Sequence, residues 1–197
     1  MKVTLCLLDV DNKLKIHNST VSEGIARQNK KCLWEERESG IVDTVVIHYI
    51  SALEINRDDP YRLESVLGIF IQYGVSSHYL IGREGDTYQL VPEEKKAWHC
   101  GGSIMPEPDL REGVNEFSLG IELMATEDSG FTDAQYNALA ALCFEIENRH
   151  EIKRYVGHED IAGEYAVKMG LRTDRKTDPG KLFDWERFYT IKDNASA

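Results

Sequence analysis

Two histidines and an aspartate stand where they could bind a metal ion. His48 and His158 each follow a short strand-like segment, and Asp178 lies in a turn just before Pro179. Two imidazoles and one carboxylate are a known ligand set for catalytic zinc, which leaves a fourth position for water. Zinc would lower the pKa of that water to about 7 and polarise a scissile carbonyl. Spacing alone leaves a structural role open, with each histidine an ordinary hydrogen-bonded group and Asp178 a turn residue.

Other hydrolytic designs are less well supported. The segment at His158 is not a zincin helix, because the residue four positions on is Ala162 instead of a second histidine. Cys100 could act as a nucleophile, but His99 beside it is badly placed as its base, since neighbours on an extended segment point to opposite faces. His48 or His158 would have to serve as the base instead. The chain contains no G-x-S-x-G sequence, which argues against a serine hydrolase.

The elements that must position these residues are strands and helices in irregular alternation. Short β-branched or apolar runs predict strands. They cover Val45–Tyr49, His78–Ile81, Thr87–Val91, Phe117–Leu123 and Tyr155–Val156, with a turn at Gly85–Asp86. The sequence therefore predicts a single α/β domain with a central mixed β-sheet flanked by helices.

Three helices have recognisable ends. The first is predicted to begin with Asp59 as N-cap and Pro60 in the first turn, and to end at Gly74. Thr132 and Gln135 form a capping box that starts a long helix. The buried stripe of that helix is predicted to be Leu139, Leu142, Cys143 and Ile146. A terminal helix is predicted to start within Trp185–Tyr189.

Length and composition favour one globular unit. The 197 residues can form a single core, and no linker or repeat divides them. We assign residues 1–40 to an N-terminal extension of the same domain, with a possible hairpin of Lys2–Leu8 and Lys13–His17. Residues 41–191 are expected to form the domain that carries any catalytic site, and residues 192–197 to form a frayed tail.

Charge and hydropathy restrict the partners. A net charge of −11 argues against nucleic acid, which needs a basic surface. No apolar run is long enough to span a membrane. We expect a cytoplasmic protein, because no signal peptide is visible, with its four cysteines reduced. Release or export without such a signal is the alternative, and the oligomeric state is left open.

Six sequence blocks in order carry a family resemblance. They are Val45–His48, Ser77–Ile81 with Gly85, Ala97–Gly101, Asn115 with Ser118–Leu123, Gly157–Ala162, and Arg175–Gly180 with Phe183–Trp185. Together they resemble the type 2 N-acetylmuramoyl-L-alanine amidases, which include the AmpD-type muropeptide-recycling enzymes. This family is related to peptidoglycan recognition proteins and phage amidase lysozymes. The resemblance runs from about Asp43 to Trp185. It implies an amidase type 2, or peptidoglycan-recognition-like, fold for this chain.

The resemblance also implies site roles and a reaction. It places a zinc ion on His48, His158 and Asp178, a carboxylate that handles the attacking water at Glu122, and an oxyanion-stabilising cation at Lys176. The reaction it implies is hydrolysis of the amide between N-acetylmuramic acid and L-alanine in peptidoglycan or muropeptides. A peptidoglycan-binding module without activity is the alternative, although such relatives typically lack a zinc ligand that this chain keeps.

Substrate contacts are expected at two further positions. His99 is expected to line the substrate groove, and Asn115 to hydrogen-bond the stem peptide. The alternative for Asn115 is a cap on the turn before Phe117. The stretch Gly163–Asp174 departs from the close relatives, in which this connection is shorter, and we expect it to border the cleft. The sequence does not indicate whether soluble muropeptides or polymeric wall, and normal or anhydro sugars, are preferred.

Overall fold

A computed structural model describes residues 1–8, 15–16, 19–20 and 33–195. Its centre is a six-stranded sheet. The strands of this sheet are β1 (Val3–Leu5), β5 (Thr44–Ile50), β6 (Tyr79–Ile81), β7 (Thr87–Gln89), β9 (Ser118–Met124) and β10 (Arg154–Gly157). Their order across the sheet is β1-β7-β6-β9-β5-β10. All pairs are parallel except β6 with β7, so the predicted mixed sheet is confirmed.

Two small ladders lie outside this sheet. Strand β2 (Lys15–Ile16) pairs with β3 (Ser19–Thr20), and β4 (Trp34–Glu36) pairs with β8 (Lys95–Ala97). The connection of the predicted N-terminal hairpin lies outside the described residues. Its first strand, β1, pairs in parallel with β7 of the central sheet.

Helices cover both faces of the sheet. They are α1 (Leu63–Tyr73), α2 (Asp133–Glu147), α3 (His158–Ala162), α4 (Glu164–Lys168) and α5 (Trp185–Ala195), with a 3-10 turn at Val114–Glu116. Leu139 of α2 and Phe188 of α5 pack on one face, in a core cluster with Ile47 and Ile121. Phe70 of α1 belongs to the cluster on the other face. The predicted arrangement of a sheet between helices is confirmed.

Helix boundaries agree with the sequence patterns in most places. The capping box of Thr132 and Gln135 is present. Helix α1 ends at Gly74, whose φ of 64° lies in the left-handed region that glycine adopts most easily. The predicted start at Asp59 was wrong, because Asp59 O accepts from Arg62 N in a turn and the helix begins after Arg62. Helix α5 continues to Ala195, so the stretch expected to fray from position 192 is helical that far.

The Gly163–Asp174 insertion forms helix α4 and an irregular return. Its Arg172 Nη1 donates to Gly101 O at 3.2 Å. A Cβ at Gly102 would lie 2.5 Å from Leu171 O, so the insertion packs tightly on this loop. No helix in the described part of the chain combines the length and apolar character needed to cross a membrane.

Candidate active site

Adjacent parallel strands bring the two candidate histidine ligands together. Strand β10 pairs with β5, and Gly157 lies beside Ile47 in their register. His48 follows Ile47 in β5, and His158 follows Gly157 as the first residue of α3. Because β5 and β10 run parallel in this register, the residue after Ile47 and the residue after Gly157 come close together.

The turn that carries Asp178 is fastened to the start of α3. Glu159 N donates to Asp178 O at 2.8 Å, and Gly180 N donates to Glu159 Oε1 at 3.2 Å. A Cβ at Gly157 would lie 2.8 Å from Pro179 Cδ, so this close approach requires glycine at position 157. The turn therefore holds the Asp178 carboxylate against both histidines.

The three candidate ligands converge on one point. His48 Nδ1 lies 3.1 Å from His158 Nδ1 and 3.0 Å from Asp178 Oδ2. His158 Nδ1 lies 3.2 Å from the same Asp178 oxygen. Two ligand atoms bound tetrahedrally to zinc at about 2.0–2.1 Å are about 3.3 Å apart, so the triangle has the size that zinc requires.

Hydrogen bonding alone does not explain this triangle. Both Nδ1 atoms can donate to Asp178 Oδ2, but the 3.1 Å contact between the two imidazole nitrogens is then not a hydrogen bond, and a proton on only one nitrogen leaves the lone pair of the other facing an Asp178 lone pair. A cation at the centre meets all three lone pairs at once, so these residues fit a bound metal.

Burial and charge set the ionisation of the ligand set. Burial lowers the pKa of His158 to about 4, with a contribution from neighbouring His48. Burial also raises the pKa of Asp178, but hydrogen bonds from the two histidines outweigh it and hold that pKa well below its usual range. For His48 the effect of burial is outweighed by Glu122 and Asp178, so its pKa is raised. Asp178 is therefore an anion beside a neutral His158, which suits a divalent cation.

Glu122 and Lys176 share a cavity with this ligand set. The cavity has a volume of about 470 Å³, and both residues line it together with His48, His158 and Asp178. Glu122 lies beside His48 in the register of β9 and β5. Burial raises the pKa of Glu122 to about 7, and among the described residues its Oε2 has no hydrogen-bond partner.

The other two predicted site residues lie around this cavity. His99 is buried on its wall, with Nδ1 3.0 Å from His48 Nε2. Asn115 lines a neighbouring cavity of about 700 Å³. Its Oδ1 accepts from the backbone N of His99 at 3.2 Å and of Cys100 at 2.9 Å. Asn115 thus fixes the loop that carries His99, and the substrate contacts expected of both residues stay predictions.

Two other polar residues near the site, His78 and Cys100, have structural environments. His78 Nδ1 accepts from Gly120 N at 3.0 Å, and its Nε2 lies 3.0 Å from Lys95 O. Cys100 is fully buried, and burial raises the pKa of its thiol to about 12. Cys100 therefore carries a protonated thiol at neutral pH, which does not suit a nucleophile.

Sequence reasoning missed two residues next to the site. Ser118 Oγ lies 3.2 Å from His99 Nε2. Gly120 lies under the His99 ring, since a Cβ there would come within 2.5 Å of His99 Cγ. Both precede Glu122 at intervals of two in β9, and this strand spacing is the signal that could have identified them.

Comparison with known proteins gives the family. Residues 38–181 match the family described as Amidase_2, N-acetylmuramoyl-L-alanine amidase. The 1,6-anhydro-N-acetylmuramyl-L-alanine amidase AmpD of Escherichia coli (strain K12) is 45% identical over 119 residues, which are 59% of this chain and 58% of that protein. The Citrobacter freundii protein of the same name is 41% identical over 143 residues, which are 73% and 70% of the two chains. The chain thus spans less than two thirds of the E. coli relative.

Solved structures give the same result. A crystal structure of a selenomethionine AmpD derivative superposes with a TM-score of 0.64 and 33% identity, covering 81% of this chain and 89% of that one. The E. coli amidase AmiD, in complex with anhydro-N-acetylmuramic acid-L-Ala-D-γ-Glu-L-Lys, superposes with a TM-score of 0.59 and 30% identity, covering 80% and 60%. Because the family model matches residues 38–181, which are most of the chain and include all three candidate metal ligands, this chain belongs to the N-acetylmuramoyl-L-alanine amidase family.

Proposed function

We propose that this protein is a zinc-dependent amidase that cuts the bond between N-acetylmuramic acid and L-alanine in muropeptides. The observation that carries the proposal is the convergence of His48, His158 and Asp178 at a cavity that also contains Glu122. A carboxylate beside a three-ligand metal site is the arrangement expected of a metal-assisted hydrolase.

The ligand set supplies the electrophilic part of the site. His48 and His158 would hold zinc through Nδ1 and Asp178 through Oδ2, the atoms that meet in the structure. When bound, zinc lowers the pKa of a coordinated water and polarises the scissile carbonyl.

Glu122 is the proton carrier of the proposed reaction. It takes a proton from the attacking water and delivers it to the amine of L-alanine as the carbon–nitrogen bond breaks. Glu122 as a whole residue is only 9% exposed, so bulk water does not compete strongly for this proton. Its place beside His48 in the sheet puts it next to the ligand set.

Lys176 stabilises the charge that develops on the carbonyl oxygen. Its backbone N donates to Ala162 O at 2.9 Å, which fastens the residue to the end of α3. Its side chain lines the cavity, and its charge acts on the pKa values of Glu122 and both histidine ligands. A positive charge that is already in place when an oxyanion forms lowers the barrier.

The substrate we propose is a soluble fragment with a 1,6-anhydro sugar. The names of the relatives specify 1,6-anhydro-N-acetylmuramyl-L-alanine, and the AmiD complex contains an anhydro-muramyl tripeptide. The net charge of −11 disfavours adhesion to anionic wall polymers. The two cavities share Val75 and Trp98 in their linings, which gives room for a sugar and a peptide around one bond. Action in the cytoplasm on such fragments is part of this proposal.

Mass spectrometry of defined substrates tests the proposal. Purified protein is incubated with an N-acetylmuramyl tripeptide in normal and anhydro forms, with and without a zinc chelator. We expect free tripeptide from the anhydro form, loss of product with chelator and recovery on adding zinc. Intact substrate after incubation with folded, zinc-loaded protein would refute the proposal. Binding of the intact substrate in that case would identify a non-catalytic recognition module instead.

A further inference from the structure

His48 contacts another histidine on the side away from the ligand set. Its Nδ1 faces His158 and Asp178, and its Nε2 lies 3.0 Å from His99 Nδ1. A neutral imidazole carries one proton, so the contact at Nε2 decides whether Nδ1 has a free lone pair.

A chain of contacts runs from His48 through His99 and Ser118 to Val114 O. The direction of each hydrogen bond follows from this last acceptor. Val114 O can only accept, and Ser118 Oγ lies 2.7 Å from it, so the Ser118 hydroxyl proton is donated there. Ser118 Oγ must then accept in its 3.2 Å contact with His99 Nε2, which therefore carries the proton of that ring. Neither of these partners of His99, Ser118 and His48, is a carboxylate, which suits a neutral ring.

This assignment fixes the tautomer of the metal ligand. With its proton on Nε2, neutral His99 has a free lone pair on Nδ1 and accepts from His48 Nε2–H. The single proton of His48 is thereby placed on Nε2, and Nδ1 keeps its lone pair toward His158 and Asp178. We propose that His99 and Ser118 are positioning residues that hold His48 in its metal-ligating tautomer. This inference rests on the metal-binding part of the proposed function.

The packing of the His99 ring against Gly120 also supports a positioning role for His99. A Cβ at Gly120 would lie 2.5 Å from Cγ, 2.7 Å from Nδ1 and 2.9 Å from Cδ2 of His99. Three ring atoms so close to one point mean that the imidazole lies flat on the backbone of β9. Ser118, Gly120 and Glu122 alternate along this strand and share one face, while Leu119 and Ile121 pack in the core on the other. The same face of β9 thus hydrogen-bonds His99 through Ser118 and contacts its ring through Gly120. It also carries Glu122, the proposed proton carrier.

Zinc affinity and the His48 tautomer test the proposal without an activity assay. Zinc dissociation constants are measured by competition with a chromogenic chelator. Tautomers are read from ¹⁵N chemical shifts of labelled histidines in the metal-free protein, at a pH high enough to keep His48 neutral, because its pKa is raised in the folded protein. Outer partners of metal ligands typically contribute about 10–100-fold to affinity, so we expect losses in that range for His99→Leu and about 10-fold for Ser118→Ala. The His48 proton should redistribute between both nitrogens in His99→Leu.

Two variants separate positioning from simple structural support. In His99→Gln the amide can accept from one side and donate on the other, so affinity should return to within a few-fold of wild type. Ser103→Ala removes a buried hydroxyl that bonds Val114 N at 3.2 Å, on the same turn but outside the proton path, and zinc affinity should not change.

Three results would overturn the proposal. They are an unchanged His48 tautomer and zinc affinity in His99→Leu, an unchanged affinity in Ser118→Ala, and equal losses in Ser103→Ala and Ser118→Ala. Ser118→Ala and its Ser103 control decide the matter if His99→Leu does not fold. Wild-type protein that binds zinc with the expected tautomer but cuts no muropeptide would refute the proposed function and leave the positioning role standing.

Discussion

Glu93 supports the segment that leads into the active-site loop, and its charge should contribute measurably to stability. It follows β7 and precedes the strand before His99. Its Oε1 accepts from Tyr79 Oη at 2.7 Å and from Arg149 Nη2 at 2.8 Å. Its Oε2 accepts from Arg149 Nε at 3.0 Å and from His150 Nε2 at 2.9 Å. The folded state thus stabilises the ionised form of this carboxyl.

The size of the effect follows from the pKa of Glu93. Burial raises this pKa, but the hydrogen bonds from Arg149, Tyr79 and His150 outweigh it and bring it to about 2, against an ordinary value of 4.5. A lowered folded-state pKa gives stability that is present above the unfolded value and is lost as pH falls toward the folded one. A separation of this size corresponds to about 3 kcal/mol at neutral pH, of which about half remains near pH ~3.

Denaturant unfolding of wild type and Glu93→Gln over a pH series measures this contribution. The variant should be less stable by about 3 kcal/mol at about pH 7, and the difference should shrink as pH falls below about 4.5. Glu94→Gln removes the same charge from the exposed neighbouring residue, and its effect should stay within about 0.5 kcal/mol. A difference that stays constant from neutral to acid pH would refute the reasoning, because it would come from packing instead of ionisation.

Three further variants probe the site itself. Gly120→Ala places a methyl group where the His99 ring lies, so unfolding stability should fall by about 1–3 kcal/mol and zinc affinity should weaken. Gly101→Ala is its control, because a Cβ there meets nothing within 4 Å. Glu122→Gln should reduce kcat about 10²–10⁴-fold in the muropeptide assay and leave zinc affinity intact. Lys176→Met should reduce kcat about 10²–10³-fold with zinc binding retained.

Each of these variants has an outcome that contradicts its premise. Equal effects of Gly120→Ala and Gly101→Ala would mean that the contact between the His99 ring and Gly120 contributes little to stability or zinc affinity. Loss of zinc from Glu122→Gln would make Glu122 a support for the ligands instead of a proton carrier. A change in KM alone in Lys176→Met would indicate ground-state binding, because a group that acts only on the transition state lowers kcat.

Some elements could be predicted from sequence because they have a strong local signal, among them the strand that carries the candidate ligand His48. The run ending at His48 is apolar and β-branched, and Val45, Val46 and Ile47 are fully buried in the sheet. The start of α2 was predictable because a capping box satisfies backbone groups within a few residues. Such signals depend on neighbours in sequence, so they need no knowledge of the fold.

The convergence of the ligands depended on contacts that no local pattern contains. Asp178 is 20 residues from His158 and 130 from His48, and it meets them because its turn bonds to the first turn of α3. Residue types and positions suggested the set but left a structural role open, and only the family resemblance assigned these residues to one metal site in advance. The predicted start of α1 was wrong for a related reason, because it too depends on a contact between residues distant in sequence. Pro60 O accepts from Ala52 N, and the chain there forms a turn.

The role that the geometry gives His99 shows what strand alternation can and cannot predict. In β9, Leu119 and Ile121 mark the core face, so Ser118, Gly120 and Glu122 were assignable to the opposite face from spacing alone. Glycine inside a strand weakens it and often marks the close approach of another group, which here is the His99 ring. The sequence could not say which group approaches, because His99 arrives from a separate loop. A shift of β9 by one residue would turn all three toward the core, so the register with β5 fixes the placement of the proposed proton carrier Glu122 beside the candidate ligand His48.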